Sequence, residues 1–318
     1  MMFVDAKQVS ALLKYRDCID AMKEAMARLS SGETEQMLRQ ILPLDRSRMF
    51  GVMAGAMGES SAWGSKLVSV TPERSDPTIP SHQGVVVLFE PKRGAPAAVV
   101  EAGELTAIRT ASASAMATDI LALPEASSLA ILGTGEQAYH HALAMREIRN
   151  LTDVRIWGRS IDKAEALAHR LKSETGLDAT ASHRVDLAAT DADIICTVTA
   201  SYDPILPTRS VKPGAHINLV GSSFDGPREI DDSLVAASRF FADSVDSVRA
   251  QGAEFRHALS MGVIEDSHLL GEIGEVILGW VPGRTSAQDI TIYNSLGHIV
   301  QDIASAALVV ELVDGLRN

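Results

Sequence analysis

Cysteine is almost missing from this chain of 318 residues, which carries only Cys18 and Cys196. The two stand far apart, each inside an apolar pattern, so they read as reduced structural thiols rather than a disulfide framework. Positive charge is also in short supply, with 29 Lys and Arg against 41 Asp and Glu and a net charge of −12. A surface of that sign repels a polyphosphate backbone, which argues against general nucleic-acid binding. No stretch approaches the roughly 18 continuous apolar residues of a membrane span. The opening Met1 to Lys14 includes Asp5 and Lys7 and lacks the apolar core of a signal peptide, so a cytoplasmic location is expected. There is no HxxxH or CxxC spacing and no clustered carboxylate pattern, and no metal is expected. Internal repeats and low-complexity linkers are absent too. What is present is core material: 46% of the residues are apolar and 22% charged, in a length that suggests about two domains.

The first segment reads as helical. Ile19, Met22, Met26 and Leu29 recur at helical spacing, Ser31-Gly32 stops the run, and Asp5 with Gln8 forms a capping box. From about residue 38 to 100 the pattern turns to short β-like runs, such as 66–70 and 85–89, parted by turn-rich stretches at 73–80 and 90–96. An Ala-rich helix is expected over 105–123, ending before Pro124. Beyond Ser128 strands and helices alternate. Strands are expected at 129–132, 154–157, 194–198, 217–220 and 239–242, with helices near 136–149 and 162–172. That rhythm predicts a parallel, doubly wound α/β sheet. A final helix is expected over 295–316, with Ile299, Ile303, Ala306, Ala307 and Val310 on one face.

Gly133-Thr134-Gly135-Glu136-Gln137-Ala138 fits G-x-G-x-x-G/A between a predicted strand and a predicted helix. Gly133 permits a tight turn, Gly135 lets the backbone approach a pyrophosphate, and Ala138 lets the helix pack closely. The helix N-terminus then offers unpaired N–H groups to the phosphates. At the tip of the next strand an NAD site places an acid for the ribose 2′-hydroxyl. Here Gly158-Arg159-Ser160 stands instead. A guanidinium and a hydroxyl suit a 2′-phosphate, so NADP(H) is expected, with NAD(H) less preferred.

At this point the chain resembles the ornithine cyclodeaminase/mu-crystallin family over essentially its whole length. The matching blocks, in order, are Gly64-Ser65-Lys66-Leu67-Val68, Ser81-His82-Gln83-Gly84 and Leu105-Thr106-Ala107-Ile108-Arg109-Thr110-Ala111. The glycine turn follows, then 221–231 with Arg228-Glu229, and last Ile290-Thr291-Ile292-Tyr293-Asn294-Ser295-Leu296-Gly297. The resemblance implies a Rossmann-type NADP-binding domain, placed at 113–294, inserted in an α+β substrate-binding and dimerisation domain made of 1–112 plus 295–318. It also implies a homodimer.

The family blocks assign site residues. Arg39, Lys66 and Arg109 look like the clamp for a substrate α-carboxylate, holding a small anion with its reacting carbon toward the nicotinamide. Lys66 and Arg109 are the expected catalytic pair, Lys66 as a proton relay to the substrate nitrogen. Arg109 lies in an otherwise apolar, small-residue helix, where an unpaired charge is costly. Ser81, His82 and Gln83 resemble the family's loop near nicotinamide and substrate. Cofactor contacts are expected from these, from Arg109, from Gly133, Thr134, Gly135, Glu136 and Gln137, and from Gly158, Arg159 and Ser160. Thr197, Val198, Thr199, Val220 and Ser295 complete that set, and Ser295 and Ser223 are expected at the substrate. His140 and His141 are adjacent on one helix and read as structural.

Ser223 marks a departure. Cyclodeaminases and alanine dehydrogenases of the family carry an aspartate there, whereas ketimine reductases carry serine. A hydroxyl is a poor general base. The expected reaction is therefore NADPH-dependent reduction of a preformed cyclic ketimine carboxylate, Δ1-pyrroline-2-carboxylate to L-proline or Δ1-piperideine-2-carboxylate to L-pipecolate. Ornithine cyclodeamination, alanine dehydrogenation and a non-catalytic ligand-binding role remain the alternatives.

Overall fold

The change of rhythm along the chain becomes two structural units. The computed structural model describes residues 1–45, 48–58, 61–71, 82–221 and 226–316; Ser81, Ser223 and the side chain of His82 lie outside the described part. One unit comprises Met1–Arg109 with His298–Asn318, the other Thr110–Gly297.

In the first unit the elements are β1 (Met2–Val4), α1 (Ala6–Leu12), α2 (Tyr15–Ser30), β2 (Glu35–Gln36), β3 (Gln40–Pro43), β4 (Met49–Ala56), β5 (Trp63–Val70), β6 (His82–Phe89) and β7 (Pro96–Glu101). The start of α3 (Ala102–Leu121) belongs here as well. The expected capping box is present: the Asp5 carboxylate accepts from the Gln8 amide at 2.9 Å and the Asp5 amide donates to Gln8 Oε1 at 3.1 Å. Ile19, Met22, Met26 and Leu29 form the buried stripe of α2, as their spacing predicts. The sheet runs β1-β7-β6-β5-β4-β2, with β3 also paired to β4, and is antiparallel except for the β1–β7 pair. The C-terminal helix Ile299–Gly315 packs on α2 and across β4, β5 and β6.

That helix begins later than the sequence suggests. Ser295 still donates its amide to Leu219 O, and Gly297 takes φ of +84° and donates to Asp243. Helical backbone is impossible before His298, whose ring caps the first turn by accepting from the Val300 amide. Ile299, Ile303 and Ala306 are buried as expected, while Ala307 and Val310 are only half-buried and Val309 and Val313 complete the stripe.

The second unit continues with β8 (Ser128–Leu132), α4 (Glu136–Arg146), β9 (Asp153–Trp157), α5 (Ile161–Thr175), β10 (Ala179–Ser182), α6 (Val185–Ala189), β11 (Ile194–Thr197) and β12 (His216–Leu219). Then come α7 (Asp232–Ala236), β13 (Ser238–Ala242), α8 (Val245–Gln251), α9 (Ala253–Ser260), β14 (Leu269–Glu272), α10 (Ile273–Ile277) and β15 (Ile290–Asn294). The strands pair in parallel in the order β10-β9-β8-β11-β12-β15-β13-β14. This is the expected doubly wound sheet. The five predicted strands are present, and β10, β14 and β15 are additional. Winding proceeds outward from β8 in one direction and from β11 in the other, so their carboxyl ends form the topological switch point where such folds bind ligands. Leu132, Ile195, Ile217, Leu219, Phe240, Phe255 and Ile292 anchor the core. Cys18 and Cys196 are buried thiols outside any disulfide, and burial pushes Cys196 up to about 12, so it stays protonated. Among the described residues no helix is long and apolar enough to cross a membrane.

Candidate active site

The glycine turn occupies the switch point. Gly133 has φ of +143°, and a Cβ there would sit 2.7 Å from Val198 O, so the fold itself demands glycine. Gly135 differs: a Cβ would meet no protein atom within 4 Å. Its smallness serves something other than packing, which is what a backbone that must approach a pyrophosphate requires. Gly135 is the N-cap of α4 and brings no capping side chain, so an anion can approach the positive end of the helix. Ala138 is fully buried, as close helix packing requires. Thr134 is half-buried and Glu136 exposed, while the buried Gln137 Oε1 has no partner among the described residues. These features fit a dinucleotide.

At the tip of β9, Arg159 is exposed and enters no hydrogen bond or ion pair among the described residues. Ser160 is partly committed: its hydroxyl accepts from the Lys163 amide at 3.4 Å and caps α5. Its own O–H remains a donor. Gly158 lies against the Thr134 methyl, 2.5 Å from where a Cβ would stand.

Thr197 is fully buried, with its hydroxyl 3.5 Å from Asn218 O and also bonded to Glu229. Val198 and Thr199 are half-buried beyond the strand end, and Val220 is buried. A residue without an assigned role organises this edge. Glu229, fully buried, accepts from the Thr199 amide and hydroxyl (2.7 Å) with Oε1, and from the Gly221 amide (2.8 Å) with Oε2. Burial pushes its carboxyl up to about 7, against the opposing hydrogen bonds from Thr199. Ser295 is buried with its Oγ unpartnered among the described residues. Gln83 is exposed on β6.

The basic residues gather in the first unit. Lys66 lies on the buried face of β5, paired across the sheet with Met53 and Val86. Arg109 comes from α3, whose first amides, Gly103 and Glu104, are capped by the Glu101 carboxylate. Both are only 4% exposed. Their counter-charge is Asp302 on the C-terminal helix: Oδ1 accepts from Lys66 Nζ and from Arg109 Nε, each at 2.9 Å. Lys66 also donates to Thr106 Oγ1 at 2.7 Å, and Arg109 Nη1 donates to Gln301 Oε1 at 2.7 Å.

The charges do not balance. Arg39, half-buried ahead of β3, is close enough to depress both Lys66 and His298. Among the described residues, the buried Lys66 and Arg109 thus share one carboxylate, and the charge of Arg39 reaches the same cluster. One N–H of Lys66 and the Nη2 group of Arg109 have no partner among the described residues. Burial lowers Lys66 to about 8, with Asp302 opposing and Arg109 and Arg39 assisting. Burial alone would raise Asp302, but Arg109 and Lys66 outweigh it and hold the carboxyl below its ordinary range. Two buried cations that share one carboxylate can accept a further anion, and a lysine lowered to about 8 can exchange a proton close to neutral pH.

Sequence reasoning brought Lys66 and Arg109 forward but missed Asp302, Gln301, Thr106 and Glu229. A signal for Asp302 exists. It is the only acid in the run Ile299 to Val310, on the same face as Ile299, Ile303 and Ala306, where an unpaired charge would not persist.

The chain is similar to known proteins over nearly its whole length. The chain is 35% identical over 312 residues to the ketimine reductase mu-crystallin of Mus musculus, covering 96% of each chain. It is 30% identical over 313 residues to a Δ1-pyrroline-2-carboxylate reductase of Bacillus cereus, covering 98% of this chain and 96% of that one. Among solved structures, the Thermococcus litoralis Δ1-pyrroline-2-carboxylate reductase in complex with NADH and L-proline superposes with a TM-score of 0.95 at 27% identity, covering 99% and 98% of the two chains. The sequence profile of the ornithine cyclodeaminase/mu-crystallin family matches residues 1–315, and the chain belongs to that family.

Proposed function

We propose that this protein is an NADPH-dependent reductase of cyclic ketimine carboxylates, converting Δ1-pyrroline-2-carboxylate to L-proline, Δ1-piperideine-2-carboxylate to L-pipecolate, or both. The observation that carries the reading is the cation surplus around Asp302. Lys66 and Arg109 retain donors for a carboxylate, and Arg39 adds charge without a second acid among the described residues that accepts from the pair. The Δ1-pyrroline-2-carboxylate reductases and the ketimine reductase mu-crystallin among its relatives act in the same reaction class. The bound nicotinamide supplies the hydride. The protein's own groups anchor the carboxylate through Arg109 and Arg39 and bring the Lys66 proton to the substrate nitrogen. No strong base is required, which fits serine at position 223.

The cofactor choice rests on Arg159. A charge-assisted contact to a 2′-phosphate is worth roughly 1.5–3 kcal/mol, about ten- to a hundredfold in affinity. The Thermococcus litoralis relative holds NADH, and on this reading the two proteins differ in cofactor preference. The test is kcat/KM for both cofactors in wild type and Arg159→Ala. The expected result is a wild-type preference for NADPH that Arg159→Ala removes while NADH use stays nearly constant. Equal loss with both cofactors would show that Arg159 does not read the 2′-phosphate.

A homodimer belongs to the same reading. Around β3 the side chains of Met37, Leu38, Ile41, Leu42 and Leu44 are exposed, Leu42 at 59%. A run of apolar residues on an edge strand is what a second copy would cover.

A further inference from the structure

We propose that Asp302 is a positioning residue for the reduction, one whose single oxygen Oδ1 holds Lys66 Nζ and Arg109 Nε together as the basic face that receives the substrate. The proposal rests on the imine-reductase reading of the same cluster. The geometry is specific. Both nitrogens lie 2.9 Å from the same oxygen, so they are no farther apart than twice 2.9 Å. Two buried cations at that separation repel unless an anion lies between them. A carboxylate that merely neutralised two cations would gain more by giving each its own oxygen. Here Oδ2 is buried without a partner among the described residues, and both donors converge on Oδ1. Convergence on one atom fixes direction as well as charge: Arg109 is held by Nε and Nη1, which leaves Nη2 available, and Lys66 keeps one N–H.

The same contact governs proton transfer. Lys66 is faced by Asp302 from the C-terminal helix, by Arg109 and Thr106 from α3, and by the charge of Arg39, while His298, the cap of that helix, feels Asp302, Arg109 and Arg39. Burial, Arg109 and Arg39 all favour neutral lysine, and Asp302 is the acid that opposes them. In the balanced reaction the imine carbon gains a hydride from NADPH, and the imine nitrogen gains a proton from the Lys66 ammonium. NADP⁺ and a neutral lysine remain, and water recharges the lysine. Activity that needs the ammonium is complete below the Lys66 pKa and is lost as pH rises through it. Removing the Asp302 charge lowers that pKa further, so the alkaline limb must move toward acid.

The test is Asp302→Asn, which keeps the shape and one acceptor oxygen but not the charge. Its kcat with Δ1-pyrroline-2-carboxylate should fall by about tenfold or more, with the alkaline limb of kcat about one pH unit lower than in wild type. NADPH affinity should stay within about threefold. A folded Asp302→Asn enzyme with the wild-type limb and nearly wild-type kcat overturns the proposal. Asp302→Glu keeps the charge and moves the shared oxygen; positioning requires a lower kcat with the limb in place, and an unchanged kcat again overturns it. Should neither variant fold, ¹⁵N NMR of lysine-labelled wild type decides: one lysine titrating near pH 8 is expected, and all lysines titrating in the ordinary range contradicts the arrangement. If wild type itself oxidises no NADPH with any imine, the functional reading fails, while the titration, read without substrate, still judges the Asp302 contact.

Discussion

Lys66 and Arg109 are charged side chains set among Met53, Val86 and the small residues of α3, and each is held by an acid far away in the chain. Their identity was legible because basic residues in apolar runs demand a reason. Asp302 stands out as a lone acid on an apolar face, but its pairing was not legible, since a contact between residues 109 and 302 leaves no trace in local spacing. The glutamate that ties Thr199 to Gly221 was hidden in the same way. The ion pair also changes what a useful substitution is. Arg109→Leu would leave Asp302 with one cation and mix stability with function. Arg109→Lys keeps a charge for Asp302 but forfeits the planar fork. We expect it to fold with a melting temperature close to wild type, while kcat/KM for the imine falls about ten- to a hundredfold. Turnover at the wild-type rate would remove Arg109 from the substrate site.

At the scale of elements, periodicity and turn chemistry carried most of the fold. Strands β8, β11, β12 and β13 were legible because a parallel sheet buries them on both faces, while β9 showed through the alternation that buries Val154 and Ile156. Strand β10 was not: Ala-Thr-Ala-Ser at a sheet edge has no apolar run to read. The start of the C-terminal helix was placed too early, at Ser295, because nothing in local spacing shows the tertiary hydrogen bonds and the left-handed Gly297 that hold 295–297 out of the helix. The glycine turn gives a sharper test of element and ligand together. Gly133→Ala meets Val198 O at 2.7 Å and an unfavourable φ, so it should cost roughly 1–3 kcal/mol of stability as well as cofactor binding. Gly135→Ala meets no protein atom within 4 Å. It should cost about 1 kcal/mol or less in stability while weakening NADPH binding about tenfold or more. Equal NADPH affinity in Gly135→Ala and wild type, by fluorescence titration, would deny the turn its role.

For the whole molecule, the exposed apolar residues around β3 predict assembly: light scattering at micromolar concentration should return twice the chain mass, and a monomer would contradict the proposed dimer. The central claim concerns chemistry, and isotope transfer reaches it most directly. Wild-type enzyme is incubated with Δ1-pyrroline-2-carboxylate and NADPH deuterated at nicotinamide C4, in separate samples for each face, and the amino-acid product is analysed by mass spectrometry and NMR. The account predicts L-proline carrying one deuterium at Cα from one of the two deuterated cofactors, and none from the other. Proline without deuterium from either sample, or no turnover of this imine or its six-membered homologue while ornithine is consumed, would contradict it.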